Sequence, residues 1–302
     1  MNRDDFFRCS ASFVVVVVLS IRYPIVAGTF YSSDPKRLRN EIESCFLGKY
    51  GPGKLPGPEG RERSIIALVA PHAGYIYSGQ TAAWSYRALS EENPPETAVI
   101  LSPNHTGFGP PVSLYKSGEW RTPLGKTSID DNLAQEIFSA SKIINFDDLA
   151  HVNEHSIEVH VPFLQYLYGD KIKIVPIVMG YQDLETSQSI GKTLAKVLKD
   201  HNTVIVASTD LTHMEPKQSA KCKDDLVLDS IRTMDEVKLQ NVVRSNRITM
   251  CGYGPVSAAL VAAKLLGANQ AEVLSYNTSG DITGDLNAVV GYVAAKITKT
   301  VL

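Results

Sequence analysis

Three apolar, β-branched runs in this chain each stop at a histidine. Ile65 to Ala70 leads into Pro71-His72-Ala73-Gly74-Tyr75, Ala98 to Leu101 into Ser102-Pro103-Asn104-His105, and Val204 to Ala207 into Ser208-Thr209-Asp210-Leu211-Thr212-His213. Neutral imidazole is the commonest protein metal ligand and is well matched to proton transfer near neutral pH. Histidines repeated at strand ends therefore predict a metal site or an acid/base site. The alternative for each is a loop histidine satisfied by its surroundings. His72 and His105 both follow a proline and precede a glycine, which presents the side chain from a constrained turn. Asp210 stands three residues before His213, where a carboxylate can orient an imidazole and raise its basicity. It can equally cap a following helix.

The densest cluster is His151-Val152-Asn153-Glu154-His155-Ser156-Ile157-Glu158-Val159-His160, with three imidazoles and two carboxylates in ten residues. His151-x-x-Glu154-His155 matches a zinc-binding pattern and gives a competing reading, a zinc metallopeptidase. Pro162 argues against a long helix through the cluster, because it lacks an N–H and clashes with the turn at Glu158. A third reading makes these side chains a polar network that holds a loop beneath the site. Cys251, in Met250-Cys251-Gly252-Tyr253-Gly254-Pro255, precedes a predicted helix whose dipole would lower the thiol pKa and favour a metal-binding thiolate. Against that stands the usual role of a lone cysteine as a small buried hydrophobe. Cys45 and Cys222 have no comparable placement.

Continuous apolar runs between helical segments read as buried parallel strands, whose carboxyl ends line the crevice where ligands of α/β sheets bind. The periodicity predicts strands at Ile172 to Val178, Glu272 to Tyr276 and Val289 to Ile297 besides the three named above. It predicts helices near Pro35 to Phe46, Gly79 to Leu89, Pro162 to Tyr168, Leu184 to Leu198, Lys217 to Thr233, Asp235 to Val243 and Pro255 to Leu266. That order argues for an α/β protein with a mainly parallel sheet covered on both faces.

Length and composition narrow the classes. A chain of 302 residues with 44% hydrophobic and 21% charged residues can bury a large core, and with no internal linker it reads as one domain. A net charge of −2 and the lack of a basic block exclude a nucleic-acid footprint. Four cysteines without a Cys-x-x-Cys pair fit a reducing cytoplasm better than a disulfide framework. Ala11 to Ile21, with its Val14 to Val18 run, is too short to span a bilayer, which takes about 20 apolar residues. It is expected to be an extension or edge strand, ahead of a signal sequence.

Several stretches in fixed order carry a resemblance. They are Pro24-Ile25-Val26-Ala27-Gly28-Thr29-Phe30-Tyr31, Ala70-Pro71-His72-Ala73-Gly74-Tyr75, Ser102-Pro103-Asn104-His105, Arg121-Thr122-Pro123-Leu124, Glu154-His155-Ser156-Ile157-Glu158-Val159-His160, Ser208-Thr209-Asp210 and Cys251-Gly252. Together they resemble the MEMO family, known in prokaryotes as AmmeMemoRadiSam system protein B. The resemblance covers residues 23–302 and leaves 1–22 outside as an N-terminal extension. It implies a three-layer sandwich with a mainly parallel central sheet, similar to class III extradiol ring-cleaving dioxygenases.

The resemblance also implies one divalent or redox-active metal ion on His72, His105 and Cys251. His213, Asp210 and His155 would be the catalytic side chains, with Glu154, Glu158, His160 and Tyr75 around them. The thiolate replaces the carboxylate of those dioxygenases and shifts preference toward copper, zinc or tightly held ferrous iron and away from ring cleavage. Iron or copper comes first, zinc after. The family pattern begins at Glu154 and omits His151, which weakens the metallopeptidase reading. Implied partners are a small-molecule or peptide ligand, together with AmmeMemoRadiSam system protein A and a radical SAM protein. The expectation is a metal-dependent redox or hydrolytic enzyme; the competing expectation is a non-catalytic binding or scaffold protein that keeps the old pocket for recognition.

Overall fold

The computed structural model describes residues 20–57 and 60–300, so the Val14 to Val18 run lies outside the described residues. The chain opens with β1 (Ile21–Arg22), α1 (Pro35–Leu47), β2 (Ile65–Ala70), α2 (Gln80–Ser90) and β3 (Thr97–Pro103). Short strands follow, β4 (Val112–Leu114), β5 (Glu119–Thr122) and β6 (Gly125–Ser128), then α3 (Asp131–Ala140), β7 (Asn145–Phe146), α4 (Leu149–Val152) and α5 (Val161–Tyr168). Next come β8 (Lys173–Met179), α6 (Leu184–Leu198), β9 (Thr203–Ser208), β10 (Asp210–Glu215) and three helices, α7 (Lys217–Arg232), α8 (Glu236–Ser245) and α9 (Tyr253–Leu265). The last elements are β11 (Gln270–Thr278), α10 (Ser279–Thr283) and β12 (Val289–Thr298). Asp34, Asp130, Asp183 and Asp235 start four of the helices, each accepting a backbone N–H that the first turn leaves free. Among the described residues no helix is long and apolar enough to cross a membrane.

β2, β9, β3 and β8 lie side by side in that order, all parallel. Their side chains alternate between two cores. Val69, Val99, Leu101 and Ile205 enter one, with α3, α6, α8 and α9 over them. Leu68, Ile100, Val204 and Val206 enter the other, under α1, α2 and α5. The result is the expected three-layer α/β sandwich with a parallel centre. Antiparallel pairs flank it, β4 against β8 and β12 against β2, and β7 adds parallel to β4 at one edge. β11 and β12 also pair antiparallel with each other, where the sequence suggested a continued βα alternation. Only α10 and a short loop join them, less than a parallel crossover needs.

One topological detail builds the site. A strand has two edges, and β11 runs beside residues 291–298 of β12. β2, paired with 295–298, and β10, paired with 289–292, must therefore share the opposite edge end to end. The chain leaving β9 steps sideways at Thr209, whose N–H bonds to the Ala70 carbonyl at 3.0 Å. Asp210 is thereby set just past the carboxyl end of β2, where His72 emerges. Residues 210–215 are a strand, so Asp210 caps no helix.

β1 belongs to a separate small sheet with β5 and β6. Arg22 is buried, and the folded body includes it.

Candidate metal centre

Strand ends deliver the donors. His72 leaves β2 through Pro71 and is buried, while His105 follows the last residue of β3 by two positions and is partly open to solvent. Cys251 arrives on the turn before α9 and lies across the start of β10. Its Sγ is 3.2 Å from Nε2 of His72, the His72 and His105 ring centroids are 5.2 Å apart, and one donor atom from each of the three lies within 4.8 Å of the others. Backbone contacts hold the sulfur there: Cys251 N–H donates to the Asp210 carbonyl at 3.3 Å, and Asp210 N–H donates to Sγ at 3.1 Å. Gly252 makes the close approach feasible, because a Cβ at that position would sit 2.2 Å from the Ser208 carbonyl oxygen.

Hydrogen-bond accounting fixes which imidazole nitrogens are free. Ser208 Oγ is 2.7 Å from His72 Nδ1, 2.7 Å from His160 Nε2 and 2.9 Å from the Ser156 carbonyl. A carbonyl only accepts, so the single hydroxyl proton of Ser208 goes to Ser156. Both imidazoles must then donate to Ser208. His72 carries its proton on Nδ1 and turns a lone pair on Nε2 toward Cys251. His160 carries its proton on Nε2 and accepts from Tyr86 Oη at 2.8 Å through Nδ1.

His105 Nδ1 lies 2.9 Å from Glu154 Oε1, which commits that nitrogen to donation and leaves Nε2 for a ligand. His213 Nδ1 faces two carbonyls, Leu211 at 2.7 Å and Thr249 at 2.9 Å. Its Nε2 is likewise the accepting nitrogen. Partners of this kind behind metal-binding histidines set tautomer and ring orientation.

Electrostatics treat the two histidines differently. Burial, then the neighbouring imidazoles, pushes His72 well below the usual histidine range. Burial opposes ionisation of Glu154, but the His105 hydrogen bond and charge and the N–H groups of Ser156 and His105 outweigh it and bring Glu154 to about 2. For His105 burial works downward and the Glu154 carboxylate upward, with a net rise. Asp210 is raised to about 6 by burial, against the stabilising N–H of His72 and the charges of His213 and His105. Burial, followed by the Asp210 carboxylate, pushes the Cys251 thiol up, which reverses the lowering expected from the helix dipole. The thiol thus has two acceptors within reach, Nε2 of His72 at 3.2 Å and the Asp210 carbonyl at 3.5 Å.

The structure brings most of the expected residues together and rearranges their jobs. Asp210 does not orient His213; two carbonyls do, and Asp210 Oδ1 instead accepts the His72 N–H at 2.9 Å. His155 stacks on His105 with centroids 4.9 Å apart and has the Phe30 ring edge-on at 4.9 Å. Glu158 and Tyr75 are scaffold: Glu158 accepts from Arg22, Tyr31 and the N–H groups of Ile25 and Val26, and Tyr75 Oη donates to the Val159 carbonyl.

His151 stays away. α4 ends at Val152, so His151 and His155 do not share a helix face. The His151 ring is buried between Tyr115 and Trp120, and no metal-capable group among the described residues includes it. The metallopeptidase geometry is therefore not built. Sequence reasoning passed over Ser208, Ser156, Tyr86 and Arg22. Only Ser208 carried a signal, as a polar residue ending an apolar strand.

Burial, then the Arg22 charge, lowers His151 to about 3 against the Ser113 backbone and the Glu154 charge, so the ring is neutral in the fold. The unfolded chain takes up a proton there below the ordinary value of 6.5, and the folded chain does not. This contribution is full above that value and is lost as pH falls toward the folded pKa. His151→Phe, which keeps the ring contacts, should lose less stability on acidification. The expected difference is about 2 kcal/mol between neutral pH and about pH 5. Denaturant unfolding at the two pH values reads it directly, and parallel pH dependences would refute it.

Comparisons with known proteins agree on the family. A family model described as Memo-like protein matches residues 22–296. The chain is 46% identical over 275 residues to a MEMO1 family protein of Methanopyrus kandleri, covering 90% of this chain and 97% of that one. It is 49% identical over 286 residues to a MEMO1 family protein of Methanocaldococcus jannaschii, covering 91% and 98%. Among solved structures, an uncharacterized protein of Escherichia coli K12 is similar with a TM-score of 0.51 at 14% identity, covering 76% of this chain and 99% of that one. That likeness speaks to the fold alone.

Proposed function

The chain belongs to the Memo-like family, and from that premise we propose that it is a metal-dependent enzyme holding one divalent or redox-active ion on His72, His105 and Cys251. The observation that carries the reading is the convergence of two imidazoles and one sulfur, with donor atoms within 4.8 Å of one another. Ser208 engages Nδ1 of His72 and Glu154 engages Nδ1 of His105, so each ring turns Nε2 toward this ion. Two imidazoles and a thiolate suit copper or ferrous iron first and zinc next. Such an ion, when bound, would supply Lewis acidity or a redox couple to a small molecule entering on the open His105 side.

The chain's own residues do the rest. Ser208 and Glu154 hold the ligating rings in one tautomer, and Asp210 fixes the backbone at both His72 and Cys251. His213, with Nδ1 donating to carbonyls, keeps Nε2 able to accept a proton from a molecule in the site. We assign the protein to a reducing compartment, the cytoplasm. Cys45, Cys222 and Cys251 are free thiols, and an oxidised sulfur at 251 could not serve as ligand.

Anaerobic purification followed by metal analysis tests the proposal. Stoichiometric copper or iron is expected in the intact protein, with a thiolate-to-metal absorption, and both should be lost in the His72→Ala/Cys251→Ala double variant. Equal metal content in the two proteins would end the proposal. A protein whose ligand binding is untouched by metal removal would be a recognition module instead.

A further inference from the structure

The loop carrying Glu154 and His155 sets a second group of donors against the first. His105 Nδ1 and Glu154 Oε1 are 2.9 Å apart, His155 Nδ1 lies 3.5 Å from the same oxygen, and one donor atom from each residue falls within 4.8 Å of the others. Bonds of about 2.0–2.2 Å to nitrogen and oxygen around a tetrahedral ion put neighbouring donors roughly 3.3–3.6 Å apart, so little movement is needed. The carboxylate does not depend on the His105 ring for its position. Ser156 holds Oε1 through its N–H at 2.9 Å and its hydroxyl at 2.7 Å, and the His105 backbone N–H holds Oε2. The His155 ring plane is fixed by its stack on His105 and the edge of Phe30.

From this arrangement we propose that a second cation binds between His105, Glu154 and His155, with the His105 ring bridging it to the first ion through its two nitrogens. The inference rests on the reading of the first site only in sharing His105. The second ion takes the place of the Nδ1 proton of His105, which leaves to solvent, while Nε2 remains with the first ion. Its donors are two nitrogens and one carboxylate oxygen without sulfur. That set suits a borderline divalent ion such as zinc or ferrous iron and disfavours copper(I), so the two positions would select differently. Glu154 changes meaning with it, from a support behind one ligand to a ligand shared by the pair.

Cobalt(II) titration of the reduced, metal-free full chain under inert gas separates the two positions. Cobalt on Cys251 gives an intense sulfur-to-metal band in the near ultraviolet, and cobalt on nitrogen and oxygen donors gives only weak visible bands. The intact protein should saturate at two equivalents. His155→Phe, which keeps the ring stack, should saturate at one with the sulfur band intact. Cys251→Ser should do the reverse, losing the sulfur band and keeping one equivalent. Should His155→Phe fail to fold, as read by circular dichroism, His155→Ala answers the same question. Saturation of the intact protein at one equivalent, with a sulfur band that His155→Phe leaves unchanged, overturns the second site and leaves the first standing. A His155-dependent equivalent with no sulfur band would support the second site and sink the first.

Discussion

Ser208→Ala should destabilise the metal-free protein by about 2–5 kcal/mol and weaken metal binding roughly 10- to 100-fold. The hydroxyl is the one oxygen on which His72 Nδ1, His160 Nε2 and the Ser156 carbonyl meet. Alanine removes it and leaves two buried N–H donors and a carbonyl without partners. A buried group stripped of its partner costs about 1–3 kcal/mol. His160 cannot switch tautomer without giving up the Tyr86 hydroxyl that its Nδ1 accepts. His72 loses the acceptor that fixes its tautomer, so part of its population presents an N–H instead of a lone pair to the ion.

The end of β3 supplies the control. Ser102 is equally buried, and its hydroxyl has no hydrogen-bond partner, so Ser102→Ala should stay within about 0.5 kcal/mol of the parent. Denaturant unfolding of the two variants, then metal competition, distinguishes a wired serine from an idle one. Equal stability losses would mean that the accounting around Ser208 is wrong.

The contrast between those serines shows what the sequence could express. Both end an apolar run and both read as strand-end polar residues; the difference lies in what residues 156 and 160 bring over them from a distant loop. Apolar periodicity and strand-end histidines were legible because they obey local rules: alternation into two cores, proline and glycine around a turn, candidate ligands at the carboxyl ends of parallel strands. Motif order supplied Cys251, which no local pattern ties to His72.

What stayed hidden depended on pairing between distant segments. Asp210 read as a cap or as a partner for His213, because nothing local says that β10 continues the line of β2. Once it does, the carboxylate falls beside the His72 N–H, and His213 must turn to the Leu211 and Thr249 carbonyls. The thiol pKa went the other way from the dipole argument for a related reason: burial by the folded sheet end and the Asp210 charge outweigh a helix terminus that begins two residues later, at Tyr253.

Arg22 is the clearest residue without a sequence signal, and its removal should be among the costliest single changes in the chain. Its Nη1 pairs with Glu158 at 2.7 Å, Nε donates to the His151 carbonyl at 2.8 Å, Nη2 donates to the Glu154 carbonyl at 2.6 Å, and the guanidinium lies 4.1 Å from the Trp120 ring centroid. Arg22→Ala strands a buried carboxylate with only the Tyr31 hydroxyl and two backbone N–H groups. Breaking a buried pair from one side costs about 3–5 kcal/mol, on the order of 5–10 °C in Tm for a chain of this length. Arg22→Lys should recover only part of it, since one ammonium cannot reproduce a planar fork that spans two carbonyls and a carboxylate.

The consequence reaches the candidate metal centre because one carbonyl is that of Glu154 and the other, of His151, lies in the short helix α4 that leads into the Glu154–His155 loop. Without the strap, Glu154 has more freedom to leave His105. Metal affinity should therefore fall further in Arg22→Ala than in a variant of equal thermal stability lowered by a core cavity, such as Leu239→Ala at a fully buried position of α8. Thermal unfolding and metal competition on that matched pair decide it: equal affinities would reduce Arg22 to a structural ion pair, and a loss confined to Arg22→Ala would make it a positioning residue for the ligands.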